Sequence, residues 1–112
     1  LKGSFYAMHS DDSSMMYKNG ELVGFTPVTQ QRNITTVLFT TSYDENTGDN
    51  TFTGGELLFN FLYDENGNEV KIKPKAGDML VFLSNPFFTH EVLKVINGRR
   101  ITLVQWHNAL IN

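Results

Sequence analysis

The chain has 112 residues, 40% of them hydrophobic and 19% charged, with a formal net charge of −3 and no cysteine. One domain over residues 1–112 is expected, long enough for a real core and too apolar for disorder. The acidic balance gives no case for nucleic acid or an anionic membrane, and the lack of cysteine excludes disulfides and thiolate metal sites. No apolar run approaches the roughly 20 residues that span a bilayer, and no signal-peptide layout opens the chain, so the expected location is cytoplasmic. Leu1 in place of an initiating methionine reads as a fragment or a processed product.

In chain order, residues 4–9 read as a short strand carrying Phe5 and Tyr6. Residues 11–31 read as a polar, irregular loop broken by Asn19-Gly20, Gly24 and Pro27. A loop of about twenty residues in so small a domain is usually functional, and Met15, Met16 and Tyr17 suit a cover over a substrate. Residues 34–43, rich in Thr, Val, Leu and Phe, form the longest strand candidate. After a polar turn region, Gly54-Gly55 opens a strand over 56–63, and the run Asp64-Glu65-Asn66-Gly67-Asn68-Glu69 turns it back through 70–72. Residues 78–83 are a short apolar run that suits a buried strand. Residues 90–106 read as a β-hairpin about Asn97-Gly98. No stretch keeps a helical period. The fold class is all-β, a sandwich or barrel of many short strands.

The chemistry lies at the ends of these strands. On an extended segment residues i and i+2 point the same way, so His9 and Asp11 converge. Asp12 competes as the carboxylate, but Asp11 has the right parity. With His90, the set becomes two nitrogens and one carboxylate, which leaves three adjacent positions on an ion open, as in non-haem Fe(II) oxygenases. A divalent ion with one carboxylate keeps a positive charge and favours an anionic bidentate ligand. A second carboxylate on that ligand needs its own cation, and arginine suits a forked contact. Arg99 and Arg100 are available, and strand parity turns only one inward. His107 is a third imidazole without a carboxylate at useful spacing. Taken singly these residues are ordinary: a His-x-Asp triplet is usually a solvated turn, an arginine pair a solvated pair. The cluster Phe39, Phe52, Phe59, Phe61, Phe82, Phe87 and Phe88 reads as core and rim packing.

Their order carries more. Gly3-Ser4-Phe5-Tyr6-Ala7-Met8-His9-Ser10-Asp11 is followed by Arg32 with residues 34–39, then by Thr53-Gly54-Gly55-Glu56-Leu57-Leu58-Phe59. Pro74-Lys75-Ala76-Gly77-Asp78-Met79-Leu80-Val81-Phe82 comes next, and last His90-Glu91-Val92, Gly98-Arg99-Arg100 and Trp106. In this order the motifs resemble those of the Fe(II)/2-oxoglutarate-dependent dioxygenases of the prolyl 4-hydroxylase-like group, over nearly the whole chain. The resemblance implies a double-stranded β-helix, or jelly roll, whose first core strand and N-terminal helices lie before Leu1. It also implies an exposed sheet edge for a second copy to cover. It implies Fe(II) held by His9, Asp11 and His90, with 2-oxoglutarate as co-substrate, its far carboxylate on Arg100, and O₂ as oxidant. Succinate, CO₂ and a hydroxylated prolyl or other side chain of a peptide or protein, or a small molecule, would be the products. Asp11, where an alanine or glycine would open a halide site, implies hydroxylation over halogenation. Phe39 stands where many relatives carry a tyrosine whose hydroxyl helps hold the co-substrate, and Thr102 is the neighbour expected to take over that contact. The competing class is a jelly-roll binding module without catalysis, which need not keep all three ligands and the arginine. A cupin-type enzyme would want more histidines than three.

Overall fold

The computed structural model describes residues 3–29, 32–46, 48 and 50–108. Twelve strands account for most of them: β1 (Tyr6–His9), β2 (Ser13–Lys18), β3 (Glu21–Pro27), β4 (Ile34–Phe39), β5 (Ser42–Tyr43), β6 (Thr51–Gly54), β7 (Leu57–Tyr63), β8 (Glu69–Ile72), β9 (Met79–Leu83), β10 (His90–Val92), β11 (Val95–Gly98) and β12 (Thr102–His107). A single 3-10 turn covers Pro86–Phe88, and the described residues contain no α-helix. No helix among them is long and apolar enough to cross a membrane.

The two principal sheets are antiparallel, in the strand orders β1-β10-β7-β8 and β12-β4-β9. Smaller sheets, β11-β6-β5 and the β2-β3 ribbon, complete the jelly roll. Alternation decides the core. Val37 and Phe39 of β4, Leu57 and Phe59 of β7 and Phe82 of β9 point between the principal sheets and form one buried cluster. Phe59 meets Phe82 edge to face at 5.2 Å, and Phe88 from the 3-10 turn stacks on Phe82 at 6.0 Å.

Three local expectations change. Residues 90–106 do not form a hairpin: β10 pairs with β1 and β7, β11 with β6, and β12 with β4. The local apolar pattern suits any antiparallel partner, and four remote strands pair with it where a hairpin would supply one adjacent strand. Gly98 does turn the chain, with φ +84°, but against β6: a Cβ there would run into the Thr51 carbonyl and lie 2.8 Å from Phe52 Cα. Gly98→Ala is therefore expected to cost about 2 kcal/mol or more, and to lower Tm by roughly 10 °C in a thermal melt. An unchanged melt would remove this account of the glycine.

Within the expected loop of residues 11–31, of which 30 and 31 lie outside the described residues, residues 13–27 are not irregular. They form the β2-β3 ribbon around Asn19 (φ 54°) and Gly20 (φ 81°), a two-residue left-handed turn of the kind hairpins favour. The alternation was hard to see because the ribbon has little fully buried face: Met16, Tyr17 and Val23 are all exposed. Finally, β9 is buried on one side only. Phe82 points into the core, whereas Met79, Val81 and Leu83 are more than half exposed, as an antiparallel sheet with one covered face requires.

Candidate metal centre

The fold brings three distant side chains together. His9 closes β1 and His90 opens β10, and the two are directly opposite in register. Asp11 follows two residues after His9. One donor atom from each of His9, Asp11 and His90 lies within 4.8 Å of the others. His9 Nε2 is 3.2 Å and His90 Nε2 is 3.6 Å from the same carboxylate oxygen, Asp11 Oδ1, and the imidazoles tilt at 60° with centroids 4.4 Å apart.

The backbone fixes how these rings present themselves. His9 Nδ1 donates to the Ala7 carbonyl at 2.8 Å, and His90 Nδ1 donates to the Phe88 carbonyl at 2.7 Å. A carbonyl only accepts, so each Nδ1 carries a proton and each Nε2 is left on the Asp11 side, a lone pair in the neutral ring and, in protonated His9, an N–H that donates to Asp11. Asp11 is oriented in the same way from behind: the Thr35 hydroxyl donates to Oδ2 at 2.6 Å and lies 2.8 Å from Ser84 Oγ. Thr35 and Ser84 are almost fully buried. Asp12 is engaged elsewhere, accepting from the Ser10 and Ser13 hydroxyls.

The charges follow from these contacts. The hydrogen bond to Asp11 holds the His9 imidazole above its ordinary pKa, against the opposing effect of burial. Burial pushes the Asp11 carboxyl upward, but hydrogen bonds from His9 and Thr35 outweigh it and leave the group below the usual carboxylate range. Burial pushes His90 down, and Phe59 and Phe82 stand 5.9 and 5.1 Å from its ring. One ionised carboxylate and two imidazoles with lone pairs aimed inward form a donor set that fits a divalent first-row ion with open positions. His9 is the imidazole that holds its proton to the highest pH, so an ion must displace that proton. Affinity for Mn(II) is expected to rise about tenfold per pH unit below the raised His9 pKa and to level off above it. A profile flat across and below the ordinary imidazole range would contradict this.

Beside the triad is a cavity of about 290 Å³ whose walls include Val37, Leu57, Arg100, Thr102, Trp106 and Tyr6. Arg100 Nε donates to the Gly55 carbonyl at 2.8 Å, and the guanidinium carbon lies 5.7 Å over the Phe39 ring. Gly55, with φ +62°, makes the seat: a Cβ there would lie 2.9 Å from Arg100 Cδ. Burial lowers the Arg100 pKa while the Tyr6 oxygen pulls the other way, and among the described residues no carboxylate pairs with this guanidinium. Arg99 is exposed, its amide donating to the Thr51 carbonyl. Phe39 is 1% exposed and belongs to the core beneath the arginine. His107 is outside the site, hydrogen-bonded to Thr36 at 3.1 Å. At the cavity, Arg32 lies 4.1 Å over the Trp106 ring and its Nη1 reaches the Asp11 carbonyl at 3.4 Å.

Sequence reasoning missed the groups behind the triad. Strand parity on β4 offers a signal for Thr35, which shares the inward face with Val37 and Phe39. Ser84 and the two carbonyls leave no local trace. Thr35→Val is expected to weaken Mn(II) binding about 10- to 100-fold, read by calorimetry, with the strand content unchanged by circular dichroism. Unaltered affinity would show that the buried hydroxyl does not orient Asp11.

A jelly roll with two imidazoles and a carboxylate converging beside a cavity lined by a half-buried arginine defines a mononuclear, non-haem metal protein. The family model of the 2OG-Fe(II) oxygenase superfamily matches residues 1–108, and the chain belongs to that superfamily. The superfamily is named for Fe(II) and 2-oxoglutarate, and His9, Asp11 and His90 offer donor atoms that fit the iron. The chain is similar to the crystal structure of a Pseudomonas putida prolyl-4-hydroxylase, with 28% sequence identity and a TM-score of 0.58. The similarity covers 96% of this chain and 46% of that one, so the chain spans less than half the length of its structural relative. No curated protein matches it.

Proposed function

We propose that residues 1–112 form one oxygenase core that hydroxylates a prolyl or other side chain of a peptide or protein. His9, Asp11 and His90 are its iron ligands, and Arg100 binds the far carboxylate of 2-oxoglutarate. The observation that carries this reading is the meeting of the three donor atoms beside a cavity containing a half-buried guanidinium that no described carboxylate neutralises. The similarity to the Pseudomonas putida prolyl-4-hydroxylase supports the choice of substrate class.

Bound there, the iron supplies O₂ activation coupled to decarboxylation of 2-oxoglutarate, with succinate, CO₂ and a hydroxylated product as the result. The chain's own part is positioning. The Ala7 and Phe88 carbonyls keep both imidazoles in the tautomer that offers Nε2. Thr35 holds Asp11 by its outer oxygen, which leaves Oδ1 facing the imidazoles. Phe59, Phe82 and Phe88 pack around His90 and exclude water from that side. Arg100, held at Nε by Gly55, presents its terminal nitrogens as a fork for a carboxylate. Val37, Leu57 and Val92 give the cavity apolar walls suited to the methylenes of a small dicarboxylate.

The test is turnover with Fe(II), 2-oxoglutarate, O₂ and a library of peptides with and without proline. One succinate per peptide that gains a single oxygen atom on proline supports the reading. Succinate formed only with peptides lacking proline would move the substrate to another side chain, and no succinate with any peptide would refute the activity.

A further inference from the structure

The two faces of the β12-β4-β9 sheet differ in what covers them. Inward, Thr35 and Val37 of β4 and Thr102, Val104 and Trp106 of β12 wall the metal cavity. Outward, the register sets Leu103, Leu38 and Met79 in one row across the three strands, and His107, Ile34 and Leu83 in another. Gln105, Thr36 and Val81 run between them. Met79, Val81, Leu83 and Leu103 are more than half exposed, and no position of the three rows carries a carboxylate, ammonium or guanidinium. The outer face of the other principal sheet is charged by contrast, with Glu91 and Lys71 on either side of Leu58. A contiguous apolar patch of this kind marks an interaction surface.

The composition and size of the patch select its occupant. Half-exposed side chains contribute roughly 100 Å² each, so the face offers on the order of 700 Å², close to the roughly 800 Å² each partner buries in a standard stable complex. Its polar groups are already provided for: the Thr36 hydroxyl meets His107 Nε2 at 3.1 Å within the face, and Gln105 is exposed on the edge strand, where water still reaches it. Lacking charge, the face does not repel its own copy. We infer that it is the contact between two copies of this chain. A two-fold axis along β4 sets β4 on β4 and β12 of each copy on β9 of the other, so apolar rows meet apolar rows in an aligned sandwich about 10 Å deep. Each copy then rests on the outside of the wall whose inside carries Thr35 and Val37. The inference is independent of the iron and of the substrate.

Sedimentation velocity of the 112-residue chain from about 1 to about 200 µM tests it. The wild type is expected to pass from the 12.7 kDa monomer to a species of twice that mass. Val81→Lys and Leu103→Lys place an ammonium that is solvated in the monomer and buried unpaired in the dimer. Each is expected to weaken association about tenfold or more, with unchanged strand content by circular dichroism. Val23→Lys, on the exposed β2-β3 ribbon, is expected to leave the dimer intact. Hydrogen exchange on wild-type protein at the two concentrations locates the contact without a variant: amides of β9 and β12 are expected to gain protection, those of the ribbon none. A chain that stays monomeric throughout would leave the face to a different partner and overturn the inference. So would a dimer that survives both face variants, equal loss with Val23→Lys, protection gained only elsewhere, or growth beyond two copies.

Discussion

His90→Ala is expected to lower iron affinity by more than about 100-fold and to abolish turnover, because loss of even an outer-shell partner costs 10- to 100-fold at such sites. The imidazole is buried, and its one hydrogen bond goes to the Phe88 carbonyl next to the 3-10 turn. Removing it deletes a donor atom and leaves a hole lined by Phe59 and Phe82. His90→Gln separates the two effects: it fills much of the space without restoring the imidazole lone pair. The substituted proteins should therefore differ in Tm but agree in failing to bind Mn(II), measured by calorimetry and melting on the same samples. Retention of wild-type Mn(II) affinity in either would place the ion elsewhere.

The second large effect is expected from Arg100→Met. A bidentate, charge-assisted contact to a carboxylate is worth about 3 kcal/mol, so the Kd for 2-oxoglutarate should rise more than about a hundredfold. Mn(II) affinity should stay close to wild type, because Arg100 reaches the site from the far wall of the cavity and bonds only to the Gly55 carbonyl among the described residues. Methionine keeps the aliphatic bulk over Phe39, which limits the structural cost. A change in metal affinity of the same size as the change in co-substrate affinity would mean that the arginine shapes the triad rather than the ligand pocket.

These two effects concern residues that the order of motifs, through the resemblance, singled out, and local pattern supported them only in part. His9 and Asp11 are two apart on an extended segment, whereas parity said only that one of Arg99 and Arg100 turns inward, and Arg100 is the one that lines the cavity. The turn at residues 64–69 was equally plain, because Asp64 Oδ1 accepts from the Asn66 and Asn68 amides and Gly67 takes φ +80°. What local pattern does not carry is partner choice. The strands of residues 90–106 alternate as a hairpin would, and only their pairing with β1, β7, β6 and β4 shows that they separate. The bulge between Tyr6 and His9 is invisible for the same reason: it exists in the register between β1 and β10, not in either strand. Phe39 was assigned to the co-substrate by resemblance, and the fold sets it in the core, under the guanidinium rather than on the cavity wall.

The most direct measurement is an anomalous-difference map from anaerobic crystals soaked with Mn(II) and 2-oxoglutarate. The account expects one strong peak enclosed by His9 Nε2, His90 Nε2 and Asp11 Oδ1, with the far carboxylate of the co-substrate against Arg100. A peak lying away from those three atoms, or a dicarboxylate bound without touching the guanidinium, would contradict it.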